Sequence, residues 1–364
     1  MSNNLLQEFP TRISCEVNAN WVSVVHIYEG AQLYDDKNTK FKQGNLGDCW
    51  LAAAIESLRH DNNKQAFEKV VQGELTYKFW QEGDYNREII LQSNAIPVND
   101  AGEPEFMRSI DGTEYWGILL EKAYAKWVGS YEGLTGGFWS DAMQSFTGGV
   151  IERIKLQDRA PENLFNIMLQ SFQNGSSLCC IIKKDINEQE MERYHTCCCI
   201  SIEEGASKVM IRDPYVISDC HEMTFSEFVN EYHRLDICHS NLDNFKEFQR
   251  KNISPGEWQE NIIKLKEGKN ELSIELTETD DDGEGCSFLI EVIQTLKPDG
   301  QLGLWQKAKE IEVNYEDKME FIKYPQQAFP FIVPQGNYSI TFRDTPPDAF
   351  VRVFSKKHYP VQLN

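Results

Sequence analysis

The chain has 364 residues, a hydrophobic fraction of 41% and a formal net charge of −21 from 57 acidic and 36 basic side chains. This length predicts two or three domains, and the hydrophobic fraction is typical of globular rather than disordered chains. The acidic balance argues against nucleic-acid binding and against constitutive contact with an anionic membrane, because both require a clustered positive surface.

The N-terminal sequence and the cysteines indicate a reducing compartment. No basic region followed by an apolar core opens the chain, and no run of about 20 apolar residues occurs, so we expect neither a secretory signal nor a transmembrane helix. The ten cysteines include adjacent pairs and a triplet but no CxxC pair, which argues against a disulfide framework and a zinc ribbon. We therefore expect a cytoplasmic protein whose cysteines are mostly small buried hydrophobic side chains.

The chain between residues 40 and 150 carries a helical pattern. A glycine turn from Gly44 leads to a periodic apolar run, which predicts a helix that begins near Asp48–Cys49. A second helix is predicted at Trp116–Val128, where apolar and aromatic residues recur at helical spacing.

After residue 150 the pattern changes to short strands that turn residues separate, with a helix before and after them. The predicted elements are a helix near Pro161–Gln173, strands at Ser177–Lys183, His195–Glu203 and Lys208–Arg212, and a helix at Thr224–Leu235. Beyond about residue 245 the strand-like runs multiply between Pro, Gly and Asp, which is typical of a separate β-sandwich. These runs are Glu271–Leu276, Ser287–Ile293, Lys309–Val313, Phe331–Val333, Asn337–Phe342 and Ala349–Phe354.

The strongest chemical signal is the segment QGNLGDCW at residues 43–50. It places Cys49 in the first turn of an apolar helix, where the helix N–H groups and dipole favour a thiolate. A thiolate is the nucleophile that acyl transfer needs. Gln43 lies six residues upstream, where its side-chain amide is placed to stabilise an oxyanion. The residues alone leave open the alternative of a buried structural cysteine.

Five segments resemble the calpain family of cysteine proteases, in the family's order over roughly residues 40–355. QGNLGDCWLAAAIESL resembles the segment around the catalytic cysteine, and WGILLEKAYAKWVGSYEGL resembles the long helix that follows it. FWSDAMQSFTGGV resembles the end of the first protease half, and TFSEFVNEYHRLDIC resembles the helix near the end of the second half. DAFVRVFSKK resembles the last strand of the family's C2-like β-sandwich.

The resemblance implies a papain-type mechanism with a Cys nucleophile, a His base and a third residue that orients the His. Cys49 and Gln43 match the family motif directly. His195 matches the family's His because it opens the apolar run TCCCISI. Asp213 stands before a Pro at the end of the next strand, where the family has an Asn.

Three positions depart from the family pattern. Tyr194 replaces a Gly, and Asp-Pro-Tyr at residues 213–215 replaces Asn-Pro-Trp. An Asp is compatible with orienting a His and favours its imidazolium form, whereas losing the Trp leaves the Asp–His contact less shielded from water. An isolated strand His is more often structural, but the Cys49 segment ahead of His195 favours the catalytic interpretation. His221, in a polar turn, is the second candidate for the base, and His233 lies on a predicted helix.

The resemblance also implies Ca²⁺, which aligns the two protease halves of the family. Such hard cations need several oxygen ligands from a compact loop. Glu121 matches an acidic position of the family, whereas Lys40 lies near a position where the family has an acidic ligand. The family's second acidic loop is shortened here and retains Asp219 and Glu222. Glu121, Asp219 and Glu222 are thus the metal ligands that the resemblance implies.

An acidic run at residues 278–284 falls in a predicted loop of the β-sandwich. Two interpretations of this run remain open: it binds Ca²⁺ or a basic partner, or it is a solvated hairpin tip. No EF-hand loop precedes Asn364, so we expect no small subunit that binds through such a domain. Transient membrane association through the C2-like domain is compatible with the resemblance.

Together these features predict an α+β protein with a papain-like two-lobed cysteine protease core, followed by an all-β C2-like sandwich. The predicted boundaries are a lead-in at 1–20, a helical protease half at 21–150, a β-rich half at 151–245 and the sandwich at 246–364. The predicted activity is limited endoproteolysis of protein substrates through an acyl-enzyme, in the cleft between the two halves. A catalytically impaired binding or scaffold protein and a transglutaminase-like Cys–His acyl transferase remain as alternatives.

Overall fold

The computed structural model describes a set of segments that together cover most of the chain. They are residues 20–34, 40–59, 64–81, 84–158, 160–173, 175–182, 196–203, 205, 207–215, 220–239, 259–278, 286–293, 311–315, 318–322, 328–333, 335–345, 350–355, 357 and 359–364. The chain divides into two compact units, residues 1–149 with 155–240 and residues 150–154 with 241–364. The mixture of helices and sheets confirms the α+β class.

The described helices all precede residue 232. They are α1 Val24–Ile27, α2 Cys49–Leu58, α3 Lys64–Val70, α4 Trp116–Val128, α5 Trp139–Thr147, α6 Pro161–Gln173 and α7 Phe225–Glu231, with 3₁₀ turns at Glu132–Leu134 and Leu156–Asp158. The predicted helices at Trp116–Val128 and Pro161–Gln173 and the predicted start near Cys49 are confirmed. Helix α4 ends at Gly129, whose φ of 102° is a left-handed conformation that favours glycine.

Short strands accompany the helices in the N-terminal part of the first unit. They are β1 Asn20–Ser23, β2 Phe41–Lys42, β3 Thr76–Gln81, β4 Asp84–Ile90, β5 Ala95–Val98 and β6 Arg108–Ser109. They form antiparallel pairs, β1 with β5, β2 with β6 and β3 with β4. Helix α2 lies at the centre of this region, because all its residues after Cys49 are buried and it contacts helix α5.

The strands between residues 150 and 239 are β7 Val150–Lys155, β8 Ser177–Ile182, β9 Thr196–Glu203, β10 Lys208–Arg212, β11 His221–Thr224 and β12 Tyr232–His239. Within the first unit, β11, β10, β9, β8 and β12 are neighbours in this order, and every pairing is antiparallel. Strand β9 also contacts helix α2. The sheet therefore lies beside the helix that begins at Cys49.

The predicted helix at Thr224–Leu235 is wrong in its second half. Helix α7 ends at Glu231, and the chain continues directly into strand β12. The pairing of β12 with β8 buries Leu235 and Ile237 completely, and this burial outweighs the helical spacing of the segment. His233 therefore lies on a strand instead of a helix, and His221 lies on strand β11 instead of in a turn.

The second unit contains strands of two antiparallel sheets. The strands are β13 Gln259–Lys264, β14 Gly268–Leu276, β15 Cys286–Ile293, β16 Ile311–Tyr315, β17 Lys318–Ile322, β18 Ala328–Val333, β19 Gly336–Thr345, β20 Phe350–Ser355 and β21 Val361–Leu363. One sheet has the order β13-β20-β15-β18 and the other has the order β17-β16-β19-β14-β21. These strands overlap all six predicted runs, and Lys309, Glu310 and Ala349 of those runs lie outside the described residues.

Buried side chains from both sheets form one hydrophobic cluster in the second unit. Alternate residues of β14, among them Leu272 and Ile274, are buried, as an antiparallel strand with one inward face requires. They belong to the same cluster as Ile340 of β19 and Val351 of β20. Among all described residues of the chain, no helix combines the length and the apolar character needed to span a bilayer.

Candidate active site

Cys49 is the first residue of helix α2, and its side chain is partly exposed, whereas the rest of the helix is buried. Its thiol takes part in no disulfide. The backbone carbonyl of Asp48 accepts hydrogen bonds from the N–H groups of Leu51 and Ala52, which fixes the first turn. The side chain of Asp48 makes no capping hydrogen bond to the helix, and Cys49 lies at the positive end of the helix dipole.

The segment before Cys49 is held in place by close backbone contacts. A Cβ atom added to Gly44 would lie 2.2 Å from the carbonyl oxygen of Phe106, so only glycine fits there. The carbonyl of Gly47 accepts a hydrogen bond of 2.9 Å from the N–H of Gly136. The Gln43 side chain is buried, and its Nε2 donates to the carbonyl of Leu46 at 2.6 Å. Gln43 is thus fixed within the turn that leads to Cys49.

Asp213 follows strand β10 and lies close to this turn. The backbone N–H of Gln43 donates a hydrogen bond of 2.9 Å to the carbonyl of Pro214. Asp213 Oδ1 accepts a hydrogen bond of 2.8 Å from the N–H of Tyr215. The ammonium group of Lys42 lies 5.8 Å from the centre of the Tyr215 ring. The structure therefore brings the segments of two predicted site residues, Gln43 and Asp213, into direct contact.

His195 and Tyr194 lie outside the described residues. The described strand β9 begins at Thr196, directly after His195, and it pairs with strand β10, which ends directly before Asp213. Cys198 is the register partner of Arg212 in this pairing. The assignment of His195 as the base stays a prediction, as do the catalytic assignments of Cys49, Gln43 and Asp213.

Asp48, the residue before Cys49, forms a buried carboxyl pair with Glu121, and the sequence analysis did not identify this pair. Asp48 and Glu121 are 0% and 1% exposed. The pKa of Asp48 is raised to about 6, mainly by burial, which exceeds the opposing effect of the neighbouring Glu121 and Gln43 side chains. Burial and the neighbouring Asp48 raise the pKa of Glu121 well above its ordinary value. The larger rise in the pKa of Glu121 predicts that Glu121, and not Asp48, holds the proton of the pair near neutral pH.

The predicted metal ligands are not gathered around one point in the described residues. Both carboxyl oxygens of Glu121 accept the N–H of Met107, at 3.1 and 3.2 Å. Glu222 is exposed and lies 2.6 Å from the Lys208 ammonium, and Asp219 lies outside the described residues. Within the described segments, no group of three or more His, Cys, Asp or Glu side chains is arranged to hold a metal ion. Because Asp219 lies outside the described residues, the metal assignment stays a prediction.

A second buried charge pair links helix α2 to the sheet, and the sequence analysis also missed it. Arg212 and Glu56 are 4% and 9% exposed, and Arg212 Nη2 lies 3.5 Å from Glu56 Oε1. The same nitrogen donates to the carbonyl of Phe41 at 3.3 Å. One feature of the sequence pointed to this pair: Arg212 is a charged residue at the end of an apolar strand, directly before Asp213. A charged side chain at such a position is seldom buried unless it has a partner of opposite charge.

The chain resembles known proteins over most of its length. A family model for calpain family cysteine proteases matches residues 3–230. The calpain-2 catalytic subunits of Bos taurus and Gallus gallus are 30% and 31% identical over 324 and 323 residues, and each match covers 70% of this chain and 46% of the relative. Calpain-A of Drosophila melanogaster is 39% identical over 182 residues, which are 47% of this chain and 22% of the relative.

The chain spans about half the length of the calpain-2 subunits that it matches. The family model covers more than half of the chain, and the matched region includes Gln43, Cys49 and Asp213. The chain therefore belongs to the calpain family of cysteine proteases.

Proposed function

We propose that the chain is a cysteine endopeptidase that performs limited cleavage of protein substrates through an acyl-enzyme. The observation that carries this proposal is the 2.9 Å hydrogen bond from the Gln43 N–H to the Pro214 carbonyl. It joins the segment that leads to the nucleophile with the segment that contains Asp213. Family membership and the partly exposed thiol of Cys49 at the start of helix α2 support the same function.

In the proposed mechanism the Cys49 thiolate attacks the scissile carbonyl carbon and forms a C–S bond. The Gln43 side chain and the Cys49 N–H stabilise the oxyanion that develops. His195, as imidazolium, donates a proton to the leaving amine as the C–N bond breaks. It then accepts a proton from the water that hydrolyses the thioester, which releases the carboxylic product and regenerates the thiolate.

Asp213 is proposed to orient His195 and to favour its imidazolium form. A carboxylate near the ring raises the pKa of an imidazole, whereas the amide of an Asn does not carry the charge needed for this effect. The hydrogen bond that Asp213 Oδ1 accepts from Tyr215 fixes one oxygen of the carboxylate. The carboxylate of Asp213 is the group that we assign to the contact with His195.

The test is active-site labelling with an epoxide inhibitor of cysteine proteases, followed by cleavage of a protein substrate. Labelling and cleavage are expected in the wild type, to be lost in Cys49→Ala and to fall strongly in His195→Ala. Cys220→Ala is the matched control, because Cys220 is also a partly exposed thiol outside any disulfide. The proposal is wrong if the wild type is not labelled, or if Cys220→Ala removes the label and Cys49→Ala does not.

A catalytically impaired calpain-like binding protein is the second candidate. Tyr215 occupies the position of a family Trp, and its side chain is 58% exposed, so most of its ring faces solvent. A solvated contact between Asp213 and His195 would weaken the orientation of the base. Absence of labelling with and without Ca²⁺ would favour this candidate. Amine incorporation into glutamine side chains without peptide cleavage would instead indicate a transglutaminase-like enzyme.

The remaining assignments are part of the same proposal. We assign the second unit to a C2-like β-sandwich, because its two antiparallel sheets contribute to one buried cluster. A cytoplasmic location and transient membrane association through this unit remain proposals. We derive no catalytic step through Ca²⁺, and its role is tested by comparing epoxide labelling in EDTA and in added Ca²⁺.

A further inference from the structure

We propose that Arg212 and Glu56 are positioning residues that align the Asp213 segment with the segment leading to Cys49. The catalytic part of this inference rests on the proposed protease function, whereas the structural linkage does not. Glu56 lies on helix α2, which begins at Cys49, and Arg212 is the residue directly before Asp213. The pair therefore connects the two segments that carry the proposed nucleophile and the residue that orients the base.

Arg212, Glu56 and the backbone of Phe41 form a closed set of polar contacts. Arg212 Nη2 lies 3.5 Å from Glu56 Oε1 and donates to the carbonyl of Phe41 at 3.3 Å. Glu56 Oε1 also accepts the N–H of Phe41 at 2.7 Å. Both polar groups of the Phe41 backbone are thus bound by this one pair.

Phe41 has little freedom to move, so it transmits the alignment to Gln43. Its ring packs edge-on against Trp116 at 5.0 Å, and a Cβ atom on Gly117 would lie 2.7 Å from the ring. Gln43 follows two residues later and donates its N–H to Pro214. The linkage consequently has two anchor points, Arg212 on Phe41 and Pro214 on Gln43, on either side of Asp213.

Because the pair is buried, we expect it to fix the arrangement of the two segments more than it raises the free energy of unfolding. Removing two charges from water costs several kcal/mol in general, and apolar replacements of buried ion pairs are often neutral or stabilising. Burial raises the pKa of Glu56 in spite of the nearby Arg212 and the Phe41 N–H, which shows that desolvation is the larger effect. A pair of this kind specifies one arrangement of the segments that it joins.

The test compares four variants by hydrogen exchange and by epoxide inactivation. Arg212→Met removes the charge and keeps an apolar stem, and Arg212→Lys keeps the charge. Arg212→Met/Glu56→Gln leaves no unpaired buried charge and retains an oxygen acceptor for the Phe41 N–H. Arg234→Met is the matched control, because Arg234 pairs with the fully buried Asp236 at 3.0 Å within strand β12 of the same sheet.

In Arg212→Met, the amides of residues 41–43 are expected to exchange about tenfold faster, since a backbone hydrogen bond is weakened. The limiting inactivation rate is expected to fall about 10- to 100-fold with little change in inhibitor affinity, because misplacement of reacting groups affects the chemical step. Arg212→Lys should recover part of both effects. The double variant should recover the urea midpoint but neither the exchange protection nor the inactivation rate.

Arg234→Met should lower the urea midpoint while leaving exchange at residues 41–43 and the inactivation rate of the folded protein unchanged. The positioning role is refuted if the double variant recovers the inactivation rate together with stability, or if exchange at residues 41–43 is the same in Arg212→Met and wild type. If Arg212→Met does not fold, Arg212→Lys and the double variant decide by the same criteria. A wild type that is never labelled refutes the protease function, and hydrogen exchange then still decides the linkage.

Discussion

The start of helix α2 and the strand pair β8–β9 both carry cysteines, but their thiols are in opposite environments. Cys49 is partly exposed at the helix N-terminus. Cys179 and Cys198, which face each other across the strand pair, are 0% and 1% exposed. Burial, with the charge of Asp236 as a second cause, raises the pKa of the Cys179 thiol well above its ordinary value. The comparison shows that position, and not residue type, separates a partly exposed thiol from a packing side chain.

The largest expected effect is a difference in alkylation rate. Cys49 should react with iodoacetamide at least about 100-fold faster than Cys179, Cys180, Cys197 and Cys198 in the native protein, because buried thiols are shielded and hold their protons. Mass mapping of modified peptides over time measures these rates. In urea the four buried thiols should react at ordinary rates. Comparable alkylation rates in the native protein would contradict the proposed difference between the Cys49 thiol and the buried thiols.

Serine substitution should separate the two regions by stability. Cys179→Ser is expected to lower the free energy of unfolding by about 1–3 kcal/mol, because it buries a hydroxyl group without an assured partner. Cys49→Ser should change it by less than about 0.5 kcal/mol, because the side chain is partly exposed. Urea unfolding of both variants measures the difference, and an equal loss would show that Cys49 also serves packing.

The carboxyl pair of Asp48 and Glu121 predicts a pH dependence of stability. The folded-state pKa values of Asp48 and Glu121 are raised above their ordinary values, so the folded protein holds protons that the unfolded chain has lost. This stabilisation is complete below the unfolded pKa values and decreases as pH rises through the folded ones. Unfolding free energy should therefore fall as pH rises from about 4 through about 6 and above, in part because of this pair.

Glu121→Gln tests whether this pair causes the pH dependence of stability. A glutamine amide can donate a hydrogen bond to Asp48 but does not take up a proton in this pH range. The variant should lose less stability with rising pH and should be roughly 1 kcal/mol more stable than wild type near pH 7.5. Urea unfolding in EDTA at a series of pH values measures this. Asp236→Asn, at a buried carboxylate paired with Arg234, is the contrasting variant and should destabilise. A Glu121→Gln variant that is less stable than wild type at every pH contradicts the assignment of the proton.

The smallest expected effect concerns the starts of two helices. Thr224 and Glu227 form a complete capping box at the start of α7, whereas the side chain of Asp48 does not cap α2. Thr224→Ala should lower the free energy of unfolding by about 1 kcal/mol. Thr224→Ser, which keeps the hydroxyl, should lower it by much less. A loss in Thr224→Ser as large as in Thr224→Ala would show that the methyl group, not the cap, matters there.

The sequence predicted local elements well where the pattern and the packing agree. Helix α4 at Trp116–Val128 has helical spacing and a glycine at its end, and the structure has it with the predicted bounds. The segment at 224–235 shows the limit, because its helical pattern continues past Glu231 while the backbone pairs with β8. A strand partner more than 40 residues away in sequence cannot be inferred from local spacing.

The candidate site divides in the same way. Gln43 and Cys49 were predicted from the turn and helix start in which they lie, and Asp213 was predicted from its resemblance to the family residue that precedes a Pro. Asp48, Glu56 and Arg212 were not found, although each directly neighbours or shares an element with a predicted site residue. Their roles depend on burial and on partners distant in sequence, such as Glu121 for Asp48.

The sequence by itself therefore determined the chemistry that is available to this protein: a cysteine at a helix start, an amide six residues before it and a carboxylate ahead of a proline. Only the tertiary structure decided which charges are buried together and which backbone groups join the segment before Cys49 to the Asp213 segment. The physical reason is that turn and helix patterns are set by near neighbours, whereas desolvation, pairing of charges and long-range hydrogen bonds depend on residues that meet only in the folded chain.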